Sequence, residues 1–287
     1  MLDVAPPALA APAVADHPAP GRGGDCLQCG AGRVGPFCHA CGQHESVADR
    51  LTFRSLWTDF RVRRLNLDRG LGRTLIDVVA RPGHVARAFV EGRRQTYTHP
   101  ITLLFVLYAA YAVIFSLIDE PFRAMIQAQM EAQVPVGESL PPDLEQFATV
   151  MGEAMRVFYT YGAYFSVLVI LPFALLLRWL LGDRGRTVAE YAVLGAYVEA
   201  AVVIPSALLV TPLSVTLQSS WIGMLGLVLY LGYAVWGVSQ FLGDRRQGTL
   251  ALAGLSMTVA QVFYLGLVVA ASVAYGIYTG FQGAHAG

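Results

Sequence analysis

The sequence predicts an all-α integral membrane protein, with five transmembrane helices behind a small cysteine-bearing head and a set of short amphipathic helices. Three observations predict it. The 287 residues are 55% hydrophobic and only 14% charged, against about 25% charged in an ordinary soluble domain. The apolar residues come in blocks, and residues 200–243 and 247–287 contain no Asp, Glu, Lys or Arg. Runs of that length exceed a buried core helix and read as membrane spans. All four cysteines fall within residues 26–41, ahead of those blocks. Together these features exclude a soluble enzyme, a disordered chain and a disulfide-rich secreted domain. The 20 basic residues are all arginine, which excludes a phosphate-loop lysine and a Schiff-base lysine.

Residues 1–21 are mostly Ala and Pro. They hold too little apolar surface to offset their ordering entropy and are expected to be disordered. They lack the basic start and unbroken apolar stretch of a signal peptide. A head at 22–45 follows, then a basic segment at 46–100. Residues 50–100 hold 11 arginines and four acids, a net charge of +7. Three short helices are expected there. The first runs from the N-cap Thr52 to about Arg63, with Phe53, Leu56, Trp57 and Phe60 on one face. The second covers about Leu71 to Ala80. Arg81-Pro82-Gly83 breaks the chain, and the third runs from Pro82 to Glu91 with Gly92 closing it. Two readings fit arginines around apolar stripes: helices lying on a membrane surface, or a small soluble packet with a basic rim.

The membrane domain is expected over 101–281, with spans at about 101–118, 157–181, 189–210, 221–242 and 250–277. Each approaches the roughly 20 residues a helix needs to cross the hydrocarbon core. Pro172 and Pro205 are expected to kink spans two and three. Arginine placement sets the direction. Arg184 and Arg186 lie between spans two and three, and Arg245 and Arg246 between spans four and five. The loop at 119–156 carries seven acids and two arginines, and is expected to hold two helical halves. The N-terminus is therefore expected in the cytoplasm and the C-terminus outside.

The cysteines read Cys26-x-x-Cys29, eight residues, then Cys38-x-x-Cys41. A pair two residues apart grips one ion from a tight turn, and Gly30 and Gly42 let each turn close. Two such knuckles complete a tetrahedral four-thiolate site, a zinc ribbon over 22–45. Zinc is the expected metal and iron its competitor. Four thiolates fill the shell, which leaves His39 and His44 outside it. A closed site has no position for water or substrate, so its role is to fold the head. Residues 1–49 carry a net charge of −3, which speaks against nucleic acid as a partner.

Cys41-Gly42-Gln43, Arg81-Pro82-Gly83, and Gly92-Arg93-Arg94 with Tyr97 and Pro100 together resemble a bacterial family of multi-pass membrane proteins with an N-terminal zinc ribbon and no assigned function. The resemblance covers about residues 26–118 and implies a bacterial inner-membrane protein, but no activity. Five spans with Tyr197 and Pro205 in the third are also loosely similar to the Yip1 superfamily of membrane-trafficking proteins. Arg93, Arg94 and Tyr97 stand where the chain enters the bilayer and are expected to contact lipid phosphates or a partner.

Glu199 lies near the middle of span three. An ionised carboxylate there costs at least about 2.5–3.5 kcal/mol. It either serves a function or is neutralised by hydrogen bonds from neighbours such as Tyr197, Ser206 or Gln240. Gln240 and Gln261 are expected to bond between helices, and the glycines of span four to allow close packing. No HExxH, GxSxG or paired-carboxylate motif occurs near a span, so no enzyme is expected. The expected function is that of an inner-membrane accessory or scaffolding protein, whose ribbon and basic helices recruit a cytoplasmic protein partner or anionic lipid. The alternative is a small-solute or ion transporter using Glu199. The expected partners are the bilayer and that protein, with homo-oligomers also compatible and no nucleic acid.

Overall fold

A computed structural model describes residues 25–33, 35, 37–44, 51–63, 70–132, 165, 167–182, 186–244 and 246–285. The Ala/Pro-rich tail, the second half of the 119–156 loop and the first residues expected in span two lie outside them. The described chain is helical. Among the described residues there is no strand, only two isolated bridges in the head, Asp25 with Gly32 and Phe37 with His44.

Three short helices come first: α1 (Phe53–Arg63), α2 (Leu71–Ala80) and α3 (Pro82–Val90). Thr52 caps α1, its hydroxyl accepting from the Ser55 N–H at 3.2 Å. Pro82 starts α3, where a missing N–H costs nothing. Gly92 ends it at φ +96°, a left-handed turn in which the Arg93 N–H reaches back to the Ala88 carbonyl at 2.9 Å.

The apolar helices follow: α4 (Pro100–Glu131), α5 (Val167–Leu181), α6 (Val188–Pro205), a π-helical turn at Ser206–Val210, α7 (Thr211–Thr216), α8 (Ser220–Leu242) and α9 (Gln247–His285). Four stretches are long and apolar enough to cross a membrane: Pro100–Gln129, Val188–Thr216, Met224–Leu242 and Gln247–Leu267. Leu168–Leu181 is a shorter apolar helix. The first long helix departs from expectation. It does not stop before Asp119, and Pro121 lies inside it. Arg123 pairs with Asp119 at 3.2 Å, and Phe115 meets Phe122 at 5.5 Å. These contacts span the hydrogen bond that proline removes. Pro205 does disturb its helix, since the π turn begins at the next residue.

Helix α6 is the axis of the bundle. Every residue from Ala189 to Val203 is buried, because α2, α3, α4, α5 and α8 all pack against it. A helix apolar on all sides belongs in such a position. Its start is fixed by a capping box, in which Thr187 accepts from the Glu190 N–H and Glu190 accepts from the Thr187 N–H.

Of the short basic helices, α2 and α3 pack on the bundle rather than forming a separate packet. Helix α3 is wedged against α6 and α8, with Val85, Ala86, Ala88 and Phe89 buried. Gly83 makes this possible. A Cβ there would fall 2.1 Å from the Gly237 carbonyl oxygen, so the two backbones touch. The Gly83 N–H donates to Gln240 Oε1 at 3.0 Å. Two phenols tie the segment down further: Tyr233 donates to the Val79 carbonyl at 3.2 Å and Tyr197 to the Thr98 carbonyl at 2.8 Å.

Candidate metal centre and its seat on the bundle

The two knuckles are built alike. Gly30 and Gly42 both take φ +74°, and their N–H groups donate to the Cys26 and Cys38 carbonyls, each at 2.7 Å. The Cys26 and Cys38 N–H groups donate to the Ala31 and Gln43 carbonyls at 2.8 and 2.9 Å, closing each turn. The four sulfurs are thereby gathered within 4.8 Å of one another. Cys26 and Cys41 are 3.5 Å apart at Sγ, Cys29 and Cys38 3.6 Å. Four thiolates at about 2.3 Å from one tetrahedral ion sit about 3.8 Å apart, whereas a disulfide bond is about 2.0 Å long. The donor set therefore fits a metal ion, and all four cysteines are free thiols.

The backbone also favours thiolate. Burial pushes the Cys26 thiol up, but N–H groups of Gln28 and Cys29 and the neighbouring thiols outweigh it and hold the group at about 6. Cys41 takes the opposite part. Burial and the three nearby sulfurs outweigh the Gln43 N–H and push it up to about 12. Four thiols this close do not all ionise without a cation among them, which is the electrostatic case for a metal at this point. Among the described residues the group contains no histidine. His44 instead stands edge-on to Phe37 at 4.8 Å.

The head does not hang free. Gln28, inside the first knuckle, donates from Nε2 to the Thr96 hydroxyl at 2.8 Å and accepts the Gln95 N–H at Oε1 at 3.2 Å. One amide thus grips the loop that leads into α4. Sequence spacing gives no signal for Gln28, because its partners lie 68 and 67 residues away.

The three residues expected at the bilayer entry take different positions. Arg93 is half exposed and lies 3.5 Å from Glu91. Arg94 is only 1% exposed, which corrects the expectation of a lipid-facing side chain. Its guanidinium faces Asp59 at 3.8 Å and lies over the Phe89 ring at 5.4 Å, so it joins α1 to α3 from the inside. Tyr97 donates to Asp77 Oδ2 at 3.1 Å. Burial pushes the Tyr97 phenol up, and the Asp77 charge beside it adds to that. Burial alone would raise Asp77, but hydrogen bonds from Arg81 and Tyr97 hold it below the usual carboxylate range.

A second cluster replaces Arg94 at the surface. Arg87, Arg93 and Arg186 all address Glu91, at 2.9, 3.5 and 3.9 Å. Arg186 also lies over the Phe241 ring at 4.9 Å. Three guanidinium groups share one carboxylate where α3, the start of α6 and the end of α8 meet.

Glu199 is buried, and among the described residues no arginine is paired with it. Arg178 donates instead to the Gly182 carbonyl at 2.7 Å. The carboxyl takes the hydroxyl of Tyr108 from α4 and that of Tyr230 from α8. Neither partner was among those expected from the sequence.

Residues 68–112 match the profile of a family described as "Protein of unknown function (DUF3667)". The matched stretch holds α2, α3, the Arg93–Tyr97 loop and the first turns of α4. The cysteines and Glu199 lie outside it. No curated protein and no solved structure matches the chain.

Proposed function

We propose that this chain is an accessory protein of the bacterial inner membrane, whose zinc-folded cytoplasmic head recruits a protein partner to the membrane. The observation that carries the reading is the seat of the head. Gln28 lies between two metal-ligating cysteines and holds Gln95 and Thr96, so a partner gripped by the head is coupled to the bundle rather than tethered loosely.

Zinc fits the closed four-thiolate shell and supplies folding energy to a head too small to build a core. The outer edge of the head offers Phe37, which is 55% exposed. An exposed aromatic on a rigid knuckle is the kind of anchor that partner surfaces use. The Arg87–Arg93–Arg186 cluster exceeds its carboxylate by two charges and suits an anionic lipid headgroup at the cytoplasmic face. Leu168–Leu181 would complete a fifth span with the residues before it. Trp179 and Trp221, both exposed at helix ends, suit the two interfaces. Five spans would put the termini on opposite faces, and the arginine placement favours the N-terminus inside.

The test is co-purification of the full chain from membranes. A defined protein should come down with the wild type, and be lost both from Cys26→Ser and from Phe37→Asp. Phe37→Asp should keep its metal. If Phe37→Asp retains the same partner at the same yield, the head is not the recruiting surface.

A further inference from the structure

The structure assigns to this chain a proton-binding site at the centre of its membrane bundle, formed by Glu199 with Tyr108 and Tyr230. The site is separate from the metal head and stands independently of the recruiting role.

Glu199 lies 11 residues into α6, near the middle of the Val188–Thr216 span. It is 3% exposed within the protein itself. A carboxylate so placed must be paired, coordinated or neutralised. Its two partners come from different helices, Tyr108 from α4 and Tyr230 from α8. Tyr111 of α4 and Tyr264 of α9 stand behind those phenols, near Tyr230, with Tyr264 also near Tyr108. One turn before Glu199, at Gly195, α5 presents Ile170 and Phe173, which carry no charge. On the cytoplasmic side α3 reaches α6 through Phe89, which packs on Tyr197 and on His99. Positions 197 and 199 point about 200° apart on a helix, so His99 stands behind α6 rather than beside the carboxyl. No guanidinium serves Glu199 among the described residues.

Two phenols on a carboxylate provide hydrogen bonds but no positive charge. A metal ion is poorly served here. The carboxyl and the two phenols present four oxygens at most and a single charge, a sparse set for calcium, which takes about six to eight oxygens. Helix α6 is regular at Glu199, so its carbonyls are committed to the helix. A proton needs one oxygen. Binding it removes the charge and gives the carboxyl one O–H donor beside its remaining accepting oxygen, so the phenol facing the O–H turns from donating to accepting while the other still donates. The proton comes from water and returns to it, with no other reactant.

The surroundings allow such a change. The π turn at Ser206–Val210 begins seven residues beyond Glu199, and such turns often mark functional sites. Just past it, the Thr211 hydroxyl shares a hydrogen bond of 2.6 Å with Tyr111, three residues along α4 from Tyr108. A second pair of hydroxyls thus stands about one turn of α4 from Tyr108, beside the broken part of the helix.

The test is infrared difference spectroscopy of the full chain in lipid nanodiscs, stepped between acidic and alkaline buffer. The wild type should show a protonated-carboxyl C=O band that appears and disappears with pH and shifts in heavy water. Glu199→Gln should lose that band entirely. Tyr108→Phe and Tyr230→Phe should each move it, which keeps the test decisive if Glu199→Gln does not fold. A band that ignores pH, survives Glu199→Gln, or is replaced by stoichiometric sodium or potassium binding would overturn the assignment.

Discussion

Asp77 shows how much one carboxylate can hold. Its Oδ1 takes Arg81 at 3.1 Å, its Oδ2 takes Tyr97 at 3.1 Å, and Arg73 lies 3.5 Å away. The Arg81 and Tyr97 hydrogen bonds outweigh the effect of burial and lower its pKa from the ordinary value. A lowered folded-state value means that the ionised form stabilises the fold. That contribution is complete above the unfolded value of about 3.9 and disappears as pH falls through the depressed folded value. Thermal unfolding in detergent should therefore show the wild type losing stability as pH drops from about 5 to about 3. Asp77→Asn should give a flatter profile over the same window and a lower melting temperature at neutral pH. A profile as steep as the wild type's would move the acid sensitivity to another group. The residue scale also shows what a sequence can announce. Cys26, Cys29, Cys38 and Cys41 declare themselves because a knuckle is local, two residues and a glycine wide. Glu199 declares itself because a carboxylate stands out in an apolar run. Its partners do not, since Tyr108 is 91 residues away and a tyrosine in a span has many bland explanations.

At the scale of elements, α3 is the instructive case. Its limits are local matters, set by Pro82 at one end and Gly92 at the other, and the sequence marks both. Its surroundings are not local. An apolar stripe edged with arginine looks the same whether it faces lipid headgroups or other helices, so the pattern could not separate a surface helix from a wedge. The deciding fact is Gly83, where a side chain would strike the Gly237 carbonyl at 2.1 Å and Gln240 Cβ at 2.6 Å. Between helices in a membrane, close backbone contact and hydrogen bonds supply much of the association. Gly83→Val should force α3 away from α8 and break the Gly83–Gln240 bond, destabilising the protein by about 1–3 kcal/mol or more. Gly72→Ala, at a position with open space around it, is the matched control and should leave the melting temperature within a degree or two. Both substitutions raise helix propensity, so equal losses from the two would mean that the α3–α8 contact is not what makes Gly83 sensitive.

At the scale of the whole molecule, the chain is organised around α6. Cysteine head, entry loop, wedge and axis form a series: Gln28 on Thr96, Thr98 on Tyr197, Gly83 on Gln240. The links differ in strength. The wedge is buried among helices, while the head is hydrogen-bonded to the loop by Gln28 and is shaped around its four sulfurs. Removing the metal should therefore loosen one end of the series and leave the other. Hydrogen exchange on the full chain, before and after a metal chelator, measures this directly. Exchange should rise strongly over residues 26–44, where the turns lose their centre. It should rise less, but measurably, over residues 93–97, because Gln28 no longer fixes Gln95 and Thr96. It should not change in α6, whose protection comes from the five helices packed around it. Gln28→Ala separates two explanations of the middle effect. With metal bound, it should raise exchange at 93–97 while leaving 26–44 protected. If the loop ignores both the chelator and Gln28→Ala, the head is not seated on the bundle, and a partner bound to it would pull only on a tether.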